Sequence, residues 1–349
     1  MRYRFLGRSG LKVSELCLGT MTFGEESGFG AHREECRAMF DAYLAAGGNF
    51  IDTANVYTGG SSERFLAEFV GAQRSRLVLA TKYTMASDFT DINSGGNSRK
   101  NLHESLHASL ARLRTDYVDL LWVHAWDGVT PLEETMRALD DAVRAGKVLY
   151  VGFSNVPAWA VARATTLAEW RGWAPLIALQ LHYSLVERTA ERELLPCAQA
   201  LGLAVTAWSP LGGGVLSGKY SADPEARKSQ NGRLSTTNWG RMFMTERNLG
   251  IAAEVRAVAV RHGLAATQVA LAWLLRRAGN VIPIVGARTH LQLVELLGAG
   301  GVTLDAEAVA TLDAASHIDI GYPGNVLTTD LMRQMLHAGR HADIDGLTR

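Results

Sequence analysis

The chain has 349 residues, 47% of them hydrophobic and 20% charged, and its 35 Lys and Arg balance its 35 Asp and Glu. That balance argues against nucleic acid or an anionic membrane surface as a partner, and no apolar run is long enough to span a bilayer. Three widely spaced cysteines (Cys17, Cys36 and Cys197) outline neither a disulfide framework nor a zinc cluster; with no apolar signal region in MRYRFLGRSG, the expected location is the reducing cytoplasm.

In chain order, YRFLGRSGLKVS reads first, as a β-hairpin turning at Arg8-Ser9-Gly10. Eight short apolar runs follow as strand candidates: LCLGT, NFIDT, LVLAT, YVDLLWV, VLYVGFS, IALQL, LAVTAW and VIPIV. Amphipathic stretches lie between them, among them REECRAMFDAYLAAG, RKNLHESLHASLARL, LEETMRALDDAVRAG and PAWAVARATTLAEW. Several end in a glycine stop, as at Gly47-Gly48 and Gly146. Strands that are apolar without alternation and are separated by helices predict a parallel sheet covered by helices, and eight units predict a closed α/β barrel of the (β/α)8 TIM type. One such barrel accounts for the whole of 1–349, with a core to about residue 315 and an irregular tail over about 320–349 in which TDLMRQMLHAG reads as a short helix. From Ser217 to about Asn248 the chain is polar and lacks a period, the pattern of a functional or disordered loop; its place after the seventh strand suits a segment that covers a cofactor.

The chemistry gathers at strand ends. NFIDT delivers Asp52, LVLATK ends on Lys82, DLLWVH ends on His124, and Tyr57 lies five residues past Asp52. In a parallel barrel the C-terminal strand ends form one rim, where active sites sit. Taken singly, each residue has an ordinary role as helix cap, solvated cation, packing ring or core histidine; taken together on successive strand ends they favour catalysis. Reduction of a carbonyl needs a hydride at carbon and a proton at oxygen. Tyr57 is the candidate proton donor. A Lys82 ammonium would stabilise the phenolate and lower the phenol's pKa, Asp52 would hold Lys82, and His124 would orient the carbonyl oxygen. No GxGxxG follows the first strand, so a dinucleotide would have to bind at the barrel rim.

The blocks GRSGLKVSELCLGTMTFG, DTANVY, GKVLYVGFSN, LQLHYSL, AWSPLGGGVLSGKY and GARTHLQLVELL, in this order, resemble the aldo-keto reductases over nearly all of the first 315 residues. WSPL...SGKY looks most like the branch that includes the potassium-channel β subunits and their bacterial relatives. The resemblance implies a hairpin-capped barrel bottom, NADPH as cofactor, and the same four roles for Asp52, Tyr57, Lys82 and His124. It assigns Ser154, Asn155 and Gln180 to the nicotinamide carboxamide and Trp208 to stacking on the ring. The pyrophosphate falls to backbone groups around Leu211 to Gly213, with Ser217 and Lys219; Ser209 and Pro210 beside them belong to the same cofactor set, and Lys219, Arg227 and Arg233 give the following loop charges that a bound dinucleotide could neutralise. Gly286, Arg288, Gln292 and Glu295 go to the adenosine half, and Gly19, Thr20, Met21 and Asp52 complete the cofactor set. Arg288 suits a 2′-phosphate and so favours NADP over NAD. Leu296 departs from the family's usual Asn and removes one expected hydrogen bond to adenine.

Met21, Phe23, Tyr83, Trp122 or Trp126, together with Phe29 and Tyr183, are the expected pocket lining for aldehydes or ketones with aromatic or aliphatic bodies. The leading expectation is an NADPH-dependent carbonyl reductase acting on small molecules, with oligomerisation left open. A cofactor-loaded regulatory subunit of a membrane channel is the competing one. His124 argues against the latter, because the channel subunits carry Asn there. An unrelated phosphate-binding barrel isomerase is the third; barrel likeness alone carries no function.

Overall fold

The computed structural model describes residues 1–220 and 243–344. An antiparallel hairpin of β1 (Tyr3–Phe5) and β2 (Lys12–Ser14) precedes a closed barrel. The barrel strands are β3 (Cys17–Gly19), β4 (Phe50–Asp52), β5 (Val78–Tyr83), β6 (Val118–Val123), β7 (Val148–Ser154), β8 (Leu176–His182), β9 (Ala204–Trp208) and β10 (Val281–Val285). They pair in parallel in that order, and β10 closes on β3. Each of the eight expected apolar runs is a barrel strand. Helices α1 (Arg33–Ala45), α2 (Ser61–Val70), α3 (Arg99–Leu113), α4 (Leu132–Arg144), α5 (Ala158–Arg171) and α6 (Leu194–Leu201) alternate with them. Helices Glu246–His262 and Ala266–Leu275 lie between β9 and β10, and His290–Leu297 follows β10.

The strands lack alternation because both faces are buried: every residue of β5 and of β6 is covered. One face fills the barrel, where Phe50, Val78, Ala80, Leu120, Trp122 and Ala178 form a cluster. The opposite face, with Ile51, Leu79, Leu121, Val123 and Leu179, packs under the helices. Trp122 fits inside because β7 offers Gly152 beside it; a Cβ there would lie 2.4 Å from the indole. Helix ends follow local chemistry. Ser98 caps α3 by accepting the Asn101 N–H, and α5 and α6 stop at the left-handed Gly172 and Gly202.

The hairpin plugs the barrel floor. Leu6 and Val13 join the cluster that fills the barrel. Arg4 donates to the carbonyls of Leu275 (2.9 Å) and Val281 (3.3 Å), and Asn280 Nδ2 donates to the Phe5 carbonyl (2.6 Å). Gly7 has φ +61°, and a Cβ there would meet the Ile177 carbonyl at 2.1 Å, so only glycine brings the turn this close.

Two irregular stretches were expected. Residues 221–242, with Arg227, Arg233 and Trp239, lie outside the described residues. The chain is helical from Glu246, capped by Thr245, so the irregular stretch ends before Asn248. In the tail, Thr329 caps a helix at Asp330–Leu336, inside the expected segment. Among the described residues, no single helix is long and apolar enough to cross a membrane.

Candidate active site

β4, β5 and β6 bring Asp52, Lys82 and His124 to the C-terminal rim, as register pairs Asp52 with Ala80 and Lys82 with Trp122. Tyr57 sits at the start of a tight turn, Tyr57–Gly60, in which Thr58, Gly59 and Gly60 have φ of 47°, 58° and 86°. Thr58 Oγ1 donates to the Phe23 carbonyl (2.5 Å) and fixes this turn against the loop after β3.

Lys82 is fully buried, and its Nζ donates to Asp52 Oδ2 (2.5 Å), the Thr53 carbonyl (2.8 Å) and Tyr57 OH (3.0 Å). Three N–H groups thus meet three acceptors, the condition under which a buried charge is tolerated. The other Asp52 oxygen accepts from Gln180 Nε2 (2.9 Å). Burial works to lower the Lys82 pKa, but Asp52 and Tyr57 outweigh it and the net shift is upward, so the group is an ammonium. Burial raises the Tyr57 pKa, and Lys82 opposes this without overcoming it. The lowered phenol expected from the sequence is therefore not found, because loss of water around the half-buried ring exceeds the pull of the ammonium. Tyr57 holds its proton at neutral pH.

His124 lies edge-on to Tyr57, with ring centroids 6.0 Å apart. Burial, then the Lys82 charge, lowers its pKa to about 3, so the imidazole is neutral. Its Nδ1 is buried without a hydrogen-bond partner among the described residues.

The rim beyond β6 is polar. Asn155, at φ 49°, donates to the His124 carbonyl (2.8 Å) and to Ser154 Oγ (3.0 Å), and its Oδ1 accepts from Trp208 Nε1 (3.1 Å). Gln180 spends its Nε2 on Asp52 and has its carbonyl oxygen to offer as an acceptor. Trp208 is half-buried, and one face is covered by His182, stacked at 4.1 Å and 9°. After β9, Gly212, Gly213 and Gly214 take φ of 56°, 65° and 107° in succession, with Ser209 Oγ accepting the Gly213 N–H and Lys219 exposed nearby. Leu211 and Ser217 are half-buried here and Pro210 is covered. Past β10, Gly286, Arg288, Gln292 and Glu295 are exposed; the Arg288 N–H bonds Gln292 Oε1 (3.0 Å), and Glu295 accepts from Thr267 (2.6 Å). Leu296 is buried against the barrel, which explains an apolar residue there.

Several expected lining residues lie elsewhere. Tyr83 follows the inward Lys82 and so points outward, fully buried among residues under the helices. Phe23 packs edge-on to Phe69 of α2. Tyr183 is buried outside the barrel, donating to Glu191 (2.6 Å) and accepting from Arg277 (3.1 Å). Trp122 is sealed inside the barrel. Thr20, expected at the cofactor, is fully buried, and its hydroxyl donates to the Asp52 carbonyl (3.0 Å). Met21, Phe29 and Trp126 remain half-buried near the surface, and Gly19 is partly covered. Sequence reasoning missed His182, although its position two residues past Gln180 on the same strand face was a usable signal. It also missed the Thr53 carbonyl, for which no side chain gives a sign.

A family model for the aldo/keto reductases matches residues 15–317. A norsolorinic acid reductase of Emericella nidulans is 40% identical over 325 residues, which cover 90% of this chain and 81% of that one. An aryl-alcohol dehydrogenase of Pestalotiopsis microspora is 38% identical, covering 93% of this chain and 85% of its own. A putative aryl-alcohol dehydrogenase of Saccharomyces cerevisiae is 33% identical, covering 94% and 90%. The barrel and its rim thus have their counterpart in a known group of enzymes: the chain belongs to the aldo/keto reductase family. It is an oxidoreductase of carbonyl groups that works with a nicotinamide cofactor.

Proposed function

We propose that this enzyme reduces aldehydes and ketones to alcohols with NADPH, with Tyr57 as the proton donor. The observation that carries the reading is the Asp52–Lys82–Tyr57 chain of hydrogen bonds beside a neutral His124. The rim fits a dinucleotide. Three successive left-handed glycines keep the backbone bare after β9, and the exposed Arg288 has no ion-pair partner among the described residues. Ser154, Asn155 and Gln180 would hold the carboxamide, Trp208 the nicotinamide ring, Ser209 to Lys219 the pyrophosphate, and Arg288 the 2′-phosphate.

When bound, the reduced nicotinamide supplies a hydride to the carbonyl carbon. The chain's part is to place the carbonyl oxygen and protonate it. His124, its imidazole neutral, would donate a hydrogen bond to that oxygen without adding a competing charge. Tyr57 gives its proton to the developing alkoxide, and Lys82, held by Asp52 and Thr53, stabilises the phenolate that remains. The names of the relatives, an aryl-alcohol dehydrogenase among them, support substrates with aromatic bodies. The test is loss of nicotinamide absorbance when purified protein meets NADPH and butanal or benzaldehyde. Absence of turnover on any carbonyl would overturn the reading.

A further inference from the structure

Four hydroxyl groups beside the catalytic residues take no part in the chemistry described so far. Thr20, Thr53 and Ser62 are fully buried and Thr58 nearly so. They join the end of β3, the end of β4, the turn that carries Tyr57 and the first turn of α2. Each hydroxyl has one hydrogen to give and two lone pairs to accept with. Ser62 gives its hydrogen to Thr20, whose carbonyl oxygen and Oγ1 lie at 2.9 and 2.8 Å. Thr20 Oγ1 spends its own hydrogen on the Asp52 carbonyl (3.0 Å). Ser62 Oγ is therefore the acceptor for Thr53 Oγ1, at 2.8 Å.

The Ser62 N–H is one of the donors that a helix start leaves open. The N-cap position is Gly60, with no side chain to take it, and Thr58 Oγ1 accepts it instead (3.2 Å). Thr58 is the neighbour of Tyr57, and its own hydrogen is fixed on the Phe23 carbonyl (2.5 Å). Ser62 is thus tied by its N–H to the turn of Tyr57 and by its hydroxyl to Thr53. Lys82 spans the same two pieces of chain from inside the barrel, since its Nζ donates to the Thr53 carbonyl (2.8 Å) and to Tyr57 OH (3.0 Å).

We propose that Ser62 is a positioning residue for the reduction: by holding Thr53 and the turn of Tyr57 at a fixed separation, it sets the distance between the Lys82 ammonium and the Tyr57 phenol. This rests on the reductase reading and adds a residue to it. Fully buried, Ser62 acts on the reacting carbonyl only through Lys82 and Tyr57. Without its hydroxyl, Thr53 Oγ1 loses its acceptor and the end of β4 is no longer tied to the turn. A phenol less well placed for Lys82 gives up its proton less readily, which slows the chemical step and leaves the binding of substrate and cofactor as it was.

The experiment uses the intact enzyme with NADPH and butanal or benzaldehyde. Ser62→Ala and Thr53→Val should each lower kcat about tenfold and leave KM and the NADPH dissociation constant within about twofold. The double variant should lose no more than either single one, because both remove the same bond. Thr53→Ser, which puts the hydroxyl back, should recover most of what Thr53→Val loses. A second readout needs no turnover. In protein with isotope-labelled tyrosine rings, the Tyr57 NMR signal, assigned by its loss in Tyr57→Phe, should move in both single variants. Thr53→Val is close in shape to threonine and carries the test by itself where Ser62→Ala fails to fold. Near-normal kcat in the single variants overturns the assignment, as does a loss carried by KM or a double variant whose losses multiply. An unmoved Tyr57 signal in folded variants overturns it as well. A wild type inert on every carbonyl, with the Tyr57 signal still moving in both variants, overturns the reductase reading and leaves the link from Ser62 to Tyr57 standing.

Discussion

Replacement of Tyr57 by Phe separates chemistry from architecture. The substitution removes the phenolic oxygen, which accepts one Lys82 N–H at 3.0 Å. Lys82 keeps its shorter bonds to Asp52 (2.5 Å) and Thr53 (2.8 Å), so the buried ammonium stays paired. The ring's edge contact with His124 is preserved as well. The cost to folding is thus that of one hydrogen bond, about 1 kcal/mol. The cost to reaction is the loss of the general acid, roughly 10²–10⁴ in rate, or about 2.7–5.4 kcal/mol of barrier. Turnover would be followed as absorbance loss at the nicotinamide band with benzaldehyde, and NADPH binding as quenching of tryptophan fluorescence. The expected result is near-abolished kcat with an NADPH dissociation constant within a few-fold of the wild type. A purified variant with near-normal turnover would refute the assignment of Tyr57 and the reasoning that links its hydrogen bond to proton transfer.

Lys82→Met should do the reverse to stability: it leaves Asp52 buried without its cation, a loss of about 3–5 kcal/mol in urea unfolding, and a variant as stable as the wild type would show that the pair contributes little. Arg288→Ala should weaken NADPH about 10–100-fold while leaving NADH within a few-fold, by fluorescence titration, since only the 2′-phosphate offers a charge to the guanidinium; equal weakening would make Arg288 a structural residue. His124 has its pKa lowered to about 3 in the fold, against about 6.5 in an unfolded chain, so between those values the unfolded state binds more protons. Stability should therefore drop as pH falls through that window, by up to about 1.4 kcal/mol per pH unit from this residue. Thermal melts of His124→Asn should show a shallower acid slope than the wild type, and identical slopes would refute a neutral buried imidazole.

The barrel was legible because strands covered on both faces cannot hide their apolar runs. The juxtaposition of Asp52, Lys82 and His124 was legible because strand ends in a parallel barrel converge, and that of Tyr57 because it follows Asp52 by five residues in the next turn. Tyr83 and Tyr183 were misplaced although the signal was present: each follows an inward-facing residue, Lys82 or His182, and must point outward. The same alternation would have found His182. Trp122 shares the inward face, yet its burial depends on Gly152 of the neighbouring strand, a pairing that sequence order alone does not show. Phe23 depends on the course of an irregular loop. The direction of the Tyr57 shift depends on a balance between lost water and one nearby charge, which needs coordinates.

The plug at the barrel floor has a consequence for how the chain is made. Arg4 and Phe5 are made long before their partners, for the atoms they bond belong to Leu275, Val281 and Asn280, separated from them by 271, 277 and 275 residues. At ordinary elongation rates of about 5–20 residues per second, roughly 14–55 s pass before those partners are synthesised. Throughout that interval the hairpin has no floor to close and Leu6 and Val13 have no completed interior to enter. Closure is a late, long-range event of the kind that slows folding and leaves apolar surface open to chaperones. The nascent chain therefore carries its own stopper, exposed, until the last strand of the barrel arrives to receive it.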